Sequence, residues 1–169
     1  MYLLRFFLLP LLLLVHHGFI EAKTCDKIVH YIFENLEVSG VLEQDANGFV
    51  YVKVDDDYIY KLHEFIADEG FDPPPYFDRE LAHGAHITVM PSHEIESCNI
   101  GKIDELGSTV FFRIKSCQIW RPTSWRSVSD VYVVTVDAPF LEKIRKKYRL
   151  PTAKYDFHIT IGVKYSNAA

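Results

Sequence analysis

The sequence predicts one α+β domain made of two similar lobes. Its 169 residues, of which 49% are hydrophobic, suffice for one well-buried core and are too few for two. A pattern of strand, aspartate and helix occurs twice, and each copy leads to the tripeptide His-Ile-Thr, at 86–88 and at 158–160. An internal duplication of this kind predicts lobes related by a pseudo-twofold axis.

The N-terminal segment, residues 1–22, has the features of a secretory signal peptide. Arg5 supplies a positive charge, residues 6–15 form an apolar run of ten residues, and Ala22 is a small residue suited to cleavage. A membrane anchor is the alternative, but the run has about half of the roughly 20 apolar residues that span a bilayer. We therefore expect a domain at 23–169 that is secreted or periplasmic, with no stable membrane insertion after cleavage.

Net charge and cysteine content limit the partners and the bound groups. A net charge of −5 offers no broad attraction for long nucleic acid or anionic lipid, which leaves a nucleotide or a short RNA end. Three cysteines follow the signal, so an oxidising compartment predicts one disulfide and one leftover thiol. Cys98 with Cys117 would close the shorter loop, although spacing leaves a pairing with Cys25 open. The Cys and His spacings fit no zinc site, so we expect no structural metal and no cofactor. The oligomeric state stays open.

An amphipathic helix precedes the first lobe. Apolar residues at helical spacing after Asp26 predict it: Ile28, Val29, Ile32, Phe33 and Leu36. A turn at 45–48 leads into a strand at 49–54, and the two aspartates that follow can cap the next helix. The inner face of that helix, ending at Gly70, would be Tyr58, Ile59, Leu62, Phe65 and Ile66. A proline loop at 73–75 then delivers the chain to the strand of His86.

The second lobe begins after a long alternating run. Residues 109–120 read as a strand, and 121–125 break it with a turn. A β-branched strand follows at 131–136, and Asp137 can cap a helix that has Pro139 in its first turn. That helix would be lined by Phe140, Leu141, Ile144 and Tyr148, and Pro151 would end it. The strand of His158 closes the domain.

The two copies correspond residue by residue. Val52-Lys53-Val54-Asp55 matches Val134-Thr135-Val136-Asp137, 82 residues later, and the copies cover about 49–91 and 131–164. At the histidines the offset is 72, because the first copy carries about ten extra residues that the proline-rich segment 71–79 can absorb. The duplication therefore places His86 and His158 at equivalent points.

The His-x-Thr spacing has a chemical meaning on a strand. Residues i and i+2 share a face, so each motif sets an imidazole beside a hydroxyl while Ile87 or Ile159 points into the core. An unperturbed imidazole has a pKa of about 6.5, which lets one copy accept a proton while the other donates one. Threonine hydroxyls can bind the oxygens of a phosphodiester. With eight histidines and about a tenth of the chain Ser or Thr, chance supplies about one such motif, not two in matching units.

The chain resembles the two-histidine (2H) phosphoesterase superfamily. The resemblance rests on His86-Ile87-Thr88 and His158-Ile159-Thr160 after duplicated strand–helix units, and it covers about 49–163. That superfamily includes RNA 2′,3′-cyclic phosphodiesterases, 2′-5′ RNA ligase-like proteins and 2′,5′-oligonucleotide phosphodiesterases. It implies antiparallel sheets that line a central cleft, helices outside, and metal-independent chemistry. It also implies that His86 and His158 are catalytic and that Thr88 and Thr160 bind phosphate.

Other residues are secondary candidates. Four aromatic side chains near the ends of the motif strands could stack on a base or merely pack: Tyr76, Trp120, Trp125 and Tyr155. Arg113 and Lys115 share one strand face and would point either into the cleft or into solvent. The basic run on the second repeat helix reads as its solvated face, or as an RNA contact: Lys143, Arg145, Lys146, Lys147 and Arg149. His83 and His93 flank the first motif but lack the hydroxyl partner, so they are interpreted as surface histidines. His30 and His63, on predicted helices, are interpreted as non-catalytic.

These observations favour a phosphodiesterase for a nucleotide or RNA-end phosphodiester, either a 2′,3′-cyclic phosphate or a 2′-5′ linkage. The alternative is a secreted binding module of the same fold that holds a nucleotide or RNA without turnover. A third possibility, a disulfide-tied interaction domain, requires the repeat to be a coincidence.

Overall fold

The computed structural model describes residues 23–75, 82–123 and 125–166. The predicted signal peptide at 1–22 and the candidate aromatic residue Tyr76 lie outside these ranges. Among the described residues, no helix has the length and apolar character needed to cross a membrane.

The described chain alternates short helices with seven strands. The helices are α1 at 23–35, α2 Asp57–Tyr60, α3 Ser92–Ser97 and α4 Pro139–Lys147, with 3₁₀ turns at His63–Phe65 and Ala67–Glu69. The strands are β1 Ser39–Gln44, β2 Val50–Lys53, β3 His86–Met90, β4 Thr109–Phe111, β5 Arg113–Trp120, β6 Val128–Asp137 and β7 His158–Tyr165.

All seven strands belong to one antiparallel sheet in the order β4-β1-β2-β3-β7-β6-β5. The predicted α+β class is confirmed, and the antiparallel strands expected for two lobes join in the middle, where β3 pairs with β7. The two strands that carry the His-Ile-Thr motifs are therefore neighbours at the centre of the molecule.

Phe112 fixes the curvature of the sheet. It is the only residue between β4 and β5, yet these strands lie at opposite edges of the sheet. Because one residue spans at most about 3.6 Å, the two edges must come close together. The sheet accordingly curls into a half-barrel, and Phe112 is 3% exposed with its N–H donating to the Val38 carbonyl at 3.1 Å.

Each motif strand pairs with the strand before it in the same register. Val52 lies opposite Ile87, and Val134 lies opposite Ile159. One residue further, Lys53 lies opposite His86, and Thr135 lies opposite His158. The 82-residue correspondence seen in the sequence is thus also a correspondence of position in the sheet.

The main core fills the face of the sheet on which the helices pack. Ile28 from α1, Ile59 from α2 and Leu141 from α4 are fully buried against Ile87 and Ile159. A smaller apolar cluster consists of Val128, Val131, Val133 and Val163, with Trp120 and Trp125 packed against it. Burial of complete aliphatic side chains stabilises the fold by roughly 1.5–3 kcal/mol each.

Several elements differ from the sequence-based expectation. The strand predicted at 109–120 is divided at Phe112, where the chain passes from one sheet edge to the other. The helix expected up to Gly70 forms one α-helical turn and then two 3₁₀ turns, with Gly70 ending it at φ 81°. Phe33, which lies about 100° around α1 from the buried Ile32, is 68% exposed. Strand β1 and helix α3 were not predicted.

Arg145 corrects the interpretation of the basic run as a wholly solvated helix face. Its side chain is 5% exposed, because it lies one helical turn after the buried Leu141. Nη1 donates to the Val89 carbonyl at 2.6 Å and to the Glu94 carboxylate at 2.7 Å, and Nη2 donates to the Pro151 carbonyl at 2.7 Å. Arg145 therefore ties α4 to the end of β3 and to α3.

Replacement of Arg145 by alanine should destabilise the protein by about 3 kcal/mol, because it removes one partner of a largely buried ion pair and leaves two carbonyls without their donor. Chemical denaturation measures this change. The matched control Lys146→Ala, at an exposed neighbouring position, should change the free energy of unfolding by less than about 0.5 kcal/mol. Equal effects of the two substitutions would contradict the assigned role.

The structure contains no disulfide among the three cysteines, although their number predicted one, and the two that are in contact are not the pair with the shorter loop. All three are free, and Cys98 is exposed, whereas Cys117 lies against Cys25 on α1. The Cys117 N–H donates to Sγ of Cys25 at 3.0 Å, and Sγ of Cys117 lies 3.7 Å from the Cys25 carbonyl oxygen. Loop length favoured Cys98, but Cys98 is exposed at the C-terminal end of α3.

Mild oxidation with a disulfide such as oxidised glutathione should link Cys25 to Cys117, because these two residues are already in contact. Each bond formed releases two molecules of reduced glutathione. Peptide mapping under non-reducing conditions identifies the pair. A Cys98→Ser variant should form the same bond, and a cross-link that involves Cys98 would show the arrangement to be wrong.

Candidate active site

Both His-x-Thr motifs face the same side of the central strands. In β3, Ile87 and Val89 are buried, while His86 and Thr88, which alternate with them, are partly exposed. In β7, Ile159 and Ile161 are buried, while His158 and Thr160 are partly exposed. This alternation is the expected result of a strand period of two residues, with the isoleucines inside and the polar groups outside.

Antiparallel pairing places the histidine of each motif beside the threonine of the other. Because Ile87 pairs with Ile159, His86 is next to Thr160, and Thr88 is next to His158. Directly opposite residues in such a pair have Cβ atoms roughly 4.5–5.5 Å apart. The sheet therefore collects two imidazoles and two hydroxyls on one small patch of surface, as the duplicated motifs predict.

The two imidazoles are held by equivalent hydrogen bonds. Nδ1 of His86 lies 2.7 Å from the carbonyl oxygen of Gly84, and Nδ1 of His158 lies 2.8 Å from the carbonyl oxygen of Asp156. A carbonyl only accepts, so each Nδ1 carries the hydrogen. In the neutral rings, Nε2 is consequently the unprotonated nitrogen in both cases, and it is at the far end of the ring from its backbone anchor.

The charges around the two rings differ. Burial lowers the pKa of His86 to about 4, and the neighbouring His83, His158 and Lys53 disfavour its charged form further. Burial also lowers the pKa of His158. In both rings the carbonyl bound to Nδ1 acts in the opposite direction, and at His158 the carboxylate of Asp156 also favours the charged form. The symmetric backbone thus holds two electrostatically unequal histidines.

Lys53 belongs to the site of the first lobe, although sequence reasoning did not select it. It lies opposite His86 in the sheet, on the same face, and its Nζ is 2.5 Å from the Asp56 carboxylate. Its position was available from the repeat, in which Lys53 corresponds to Thr135, the residue opposite His158. The first lobe has a cation where the second lobe has a hydroxyl.

An aromatic stack borders the second histidine. Trp120 lies 4.5 Å from the His158 ring, measured between centroids, and stacks on Tyr155 at 5.4 Å with an interplanar angle of 29°. A cavity of about 700 Å³ lies beside the stack and is also lined by Arg121 and Lys164. Trp125 packs on the neighbouring apolar cluster and is partly buried. Of the three aromatic candidates among the described residues, Trp120 contacts His158 and Tyr155 stacks on Trp120.

The two basic candidates on β5 are both in ion pairs. Arg113 is 80% exposed and pairs with Asp137, while Lys115 pairs with Asp156 at 2.7 Å. Lys115 is thereby connected to the residue whose carbonyl holds His158. Lys115 and Tyr155 also line a second cavity, of about 530 Å³, together with Lys146 and Arg149 of the basic run.

His83 is closer to the site than its interpretation as a surface histidine implied. It is partly buried, and its ring centroid is 5.7 Å from that of His86. It lacks the hydroxyl partner that marks the two motifs, which is why the sequence pattern passed over it. The signal that could have found it is its place three residues before His86, since Tyr155 lies three residues before His158. His93 is exposed, and His30 pairs with Glu34 on α1.

Within the described ranges, no group of three or more His, Cys, Asp or Glu side chains is arranged to hold a metal ion. Comparison of the chain with curated proteins and with solved structures found no match. A family model described as "Swiss Army Knife, 2H phosphoesterase domain" matches residues 50–169, from β2 through both His-x-Thr motifs. Since this match covers more than half of the chain and includes both motif strands, the protein belongs to the 2H phosphoesterase superfamily.

Proposed function

We propose that the protein is a metal-independent phosphodiesterase for a nucleotide or an RNA end, acting on a 2′,3′-cyclic phosphate or a 2′-5′ linkage. A phosphodiesterase-like function in general follows from the family. The observation that supports the proposed chemistry most is the pair of imidazoles, each bound at Nδ1 by a carbonyl and each next to a threonine of the other strand.

In the proposed reaction, one imidazole accepts a proton while the other donates one. Nε2 of His86 takes a proton from an attacking water or ribose hydroxyl as the new bond to phosphorus forms. Nε2 of protonated His158 gives its proton to the leaving oxygen as the old bond to phosphorus breaks. The hydroxyls of Thr88 and Thr160 donate to the non-bridging oxygens, where negative charge accumulates in the transition state. Exchange of protons with solvent then restores both histidines.

The assignment of base and acid rests on the surroundings of the two rings. His86, with a pKa of about 4, is neutral near pH 7 and is therefore ready to accept a proton. His158 has the Asp156 carboxylate near it, which favours the protonated ring that a general acid requires. Lys53, paired with Asp56, lies on the same face as His86 and disfavours a charge on that ring.

The aromatic side chains beside His158 support a nucleotide as the substrate. Tyr155 is 52% exposed, so its stack with Trp120 presents aromatic surface beside the proposed acid. A base that stacks on such a surface gains roughly 1–3 kcal/mol. The net charge of −5 favours a small substrate over a long nucleic acid. The proposed secreted or periplasmic location rests on the sequence of residues 1–22.

The substitutions His86→Ala and His158→Ala should each lower kcat by a factor of about 10² to 10⁴, because each removes one proton transfer. Steady-state assays with 2′,3′-cyclic nucleotides and 2′-5′ dinucleotides measure the loss, and circular dichroism checks the fold. His30→Ala, at an exposed histidine on α1, is the control and should keep full activity. A fully active His86 or His158 variant would refute the paired-histidine mechanism.

The substrate panel also separates the two candidate functions. We expect turnover of at least one of these phosphodiesters in the presence of a chelator. Tight nucleotide binding with no turnover of any panel member would instead establish a non-catalytic binding module. Loss of turnover on chelation would contradict the metal-free mechanism.

The rate should have an acidic pH optimum. The base must be unprotonated, so kcat/KM falls as the pH drops through the pKa of His86, about 4. The acid must be protonated, so kcat/KM falls as the pH rises through the pKa of His158, which burial lowers from its ordinary value. The bell-shaped profile of kcat/KM measures both limits in the free enzyme.

An Asp156→Asn variant tests the assignment of His158 as the acid. It removes the carboxylate that favours the charged imidazole, while the backbone carbonyl that holds Nδ1 remains. The alkaline limb of the profile should therefore move to lower pH, and the acidic limb should stay in place. A shift confined to the acidic limb would mean that the two roles are reversed.

A further inference from the structure

His83 is anchored to the turn between β1 and β2. Its Nε2 lies 3.0 Å from Oδ2 of Asp45, and both side chains are largely shielded, with exposed fractions of 25% and 19%. The other oxygen of Asp45 accepts the backbone N–H groups of Asn47 at 2.9 Å and Phe49 at 2.8 Å. Burial raises the pKa of Asp45, but these bonds and His83 outweigh it and the pKa is lowered, so the carboxylate is charged.

The ring of His83 is packed between aromatic side chains and His86. Its centroid lies 4.7 Å from that of Tyr51, 5.1 Å from that of Phe49 and 5.7 Å from that of His86. Phe49 and Tyr51 are themselves stacked and each reaches the His86 ring at 5.7 Å. The His83 ring thus packs directly beside the His86 ring.

His83 is also adjacent in sequence to the residue whose carbonyl holds the His86 ring. Gly84, whose carbonyl accepts from Nδ1 of His86, directly follows His83 and has φ 63°. On the other side, the Ala85 N–H donates to Asp56 at 2.8 Å. The carbonyl is therefore held between two carboxylate contacts, Asp45 through His83 and Asp56 through Ala85.

The equivalent position in the second lobe has a different aromatic residue. Tyr155 stands three residues before His158, as His83 stands three residues before His86. Tyr155 stacks on Trp120. A phenol ring satisfies the packing there, whereas the first lobe has an imidazole with a carboxylate partner that orients the ring.

We propose that His83, oriented by Asp45, is a third histidine of the site, a positioning residue that aims His86 at the phosphate and keeps it in its neutral, proton-accepting form. This inference rests on the proposed function. Three neighbours oppose a positive charge on His86 when they are protonated, namely Lys53, His158 and His83. Asp45 and Tyr51 border His83, and Asp56 pairs with Lys53.

Two substitutions separate aiming from charge. His83→Phe keeps an aromatic ring but removes the bond to Asp45 and the charge, so kcat should fall about tenfold or more through misplacement of His86. His83→Gln keeps an N–H donor for Asp45 without a charge, so kcat should return close to the parent value. In both variants the acidic limb of the kcat/KM profile should move from about pH 4 towards the ordinary histidine value.

The control is His30→Phe, at a histidine whose side chain is 73% exposed, and it should change neither quantity. Thermal unfolding of each variant checks stability. A His83→Phe variant with unchanged kcat and an unmoved acidic limb overturns the proposal. So does a loss of kcat that His83→Gln fails to restore and that leaves the acidic limb in place, because a packing role alone explains it.

An NMR titration of the His86 imidazole tests the role of His83 independently of the proposed function. If the parent protein turns over no phosphodiester, the proposed function fails, but the pKa of His86 is still measurable. A higher pKa of His86 in His83→Phe and His83→Gln supports the electrostatic effect of His83. An identical pKa in the parent and in both variants overturns it.

Discussion

The antiparallel pairing of β3 with β7 is the constraint on which the site depends. It joins the two halves of the sheet, and its register, with Ile87 opposite Ile159, places each histidine next to the threonine of the other motif. A shift of one residue would turn the histidines into the core and the isoleucines outward. Burial of Ile87 and Ile159, both 0% exposed, therefore fixes the chemistry of the opposite face as well as the packing of the core.

The two motif strands share one backbone framework, but the side chains around them make the two halves unequal. Both histidines are held at Nδ1 by the carbonyl two residues earlier. Around this common geometry, His86 has Lys53 and His83 near it, whereas His158 has Asp156 and the ring of Trp120. The proposed acid and base roles depend on environments that push the two pKa values apart. The neighbours act in that direction, since Lys53 and His83 disfavour a charge on His86 and Asp156 favours one on His158.

The central part of this architecture could be predicted because it depends on local pattern. A period of two residues and a repeated unit identify the motif strands, their buried isoleucines and their equivalence. The features that escaped prediction depend on partners far away in the chain. Arg145 is buried because Glu94, 51 residues away, and the Val89 carbonyl receive its guanidinium. His83 joins the site because Asp45, 38 residues away, holds it, and Cys117 meets Cys25 across 92 residues.

The most direct test is whether one phosphate engages both imidazoles. In an NMR experiment, ¹⁵N signals of the histidine side chains are followed while inorganic phosphate is added at a pH between the two histidine pKa values. The expected result is that Nε2 of His86 and Nε2 of His158 shift together, with one dissociation constant, while both Nδ1 atoms stay protonated. A response of only one of the two rings, or of neither, would contradict a shared phosphate site between the central strands.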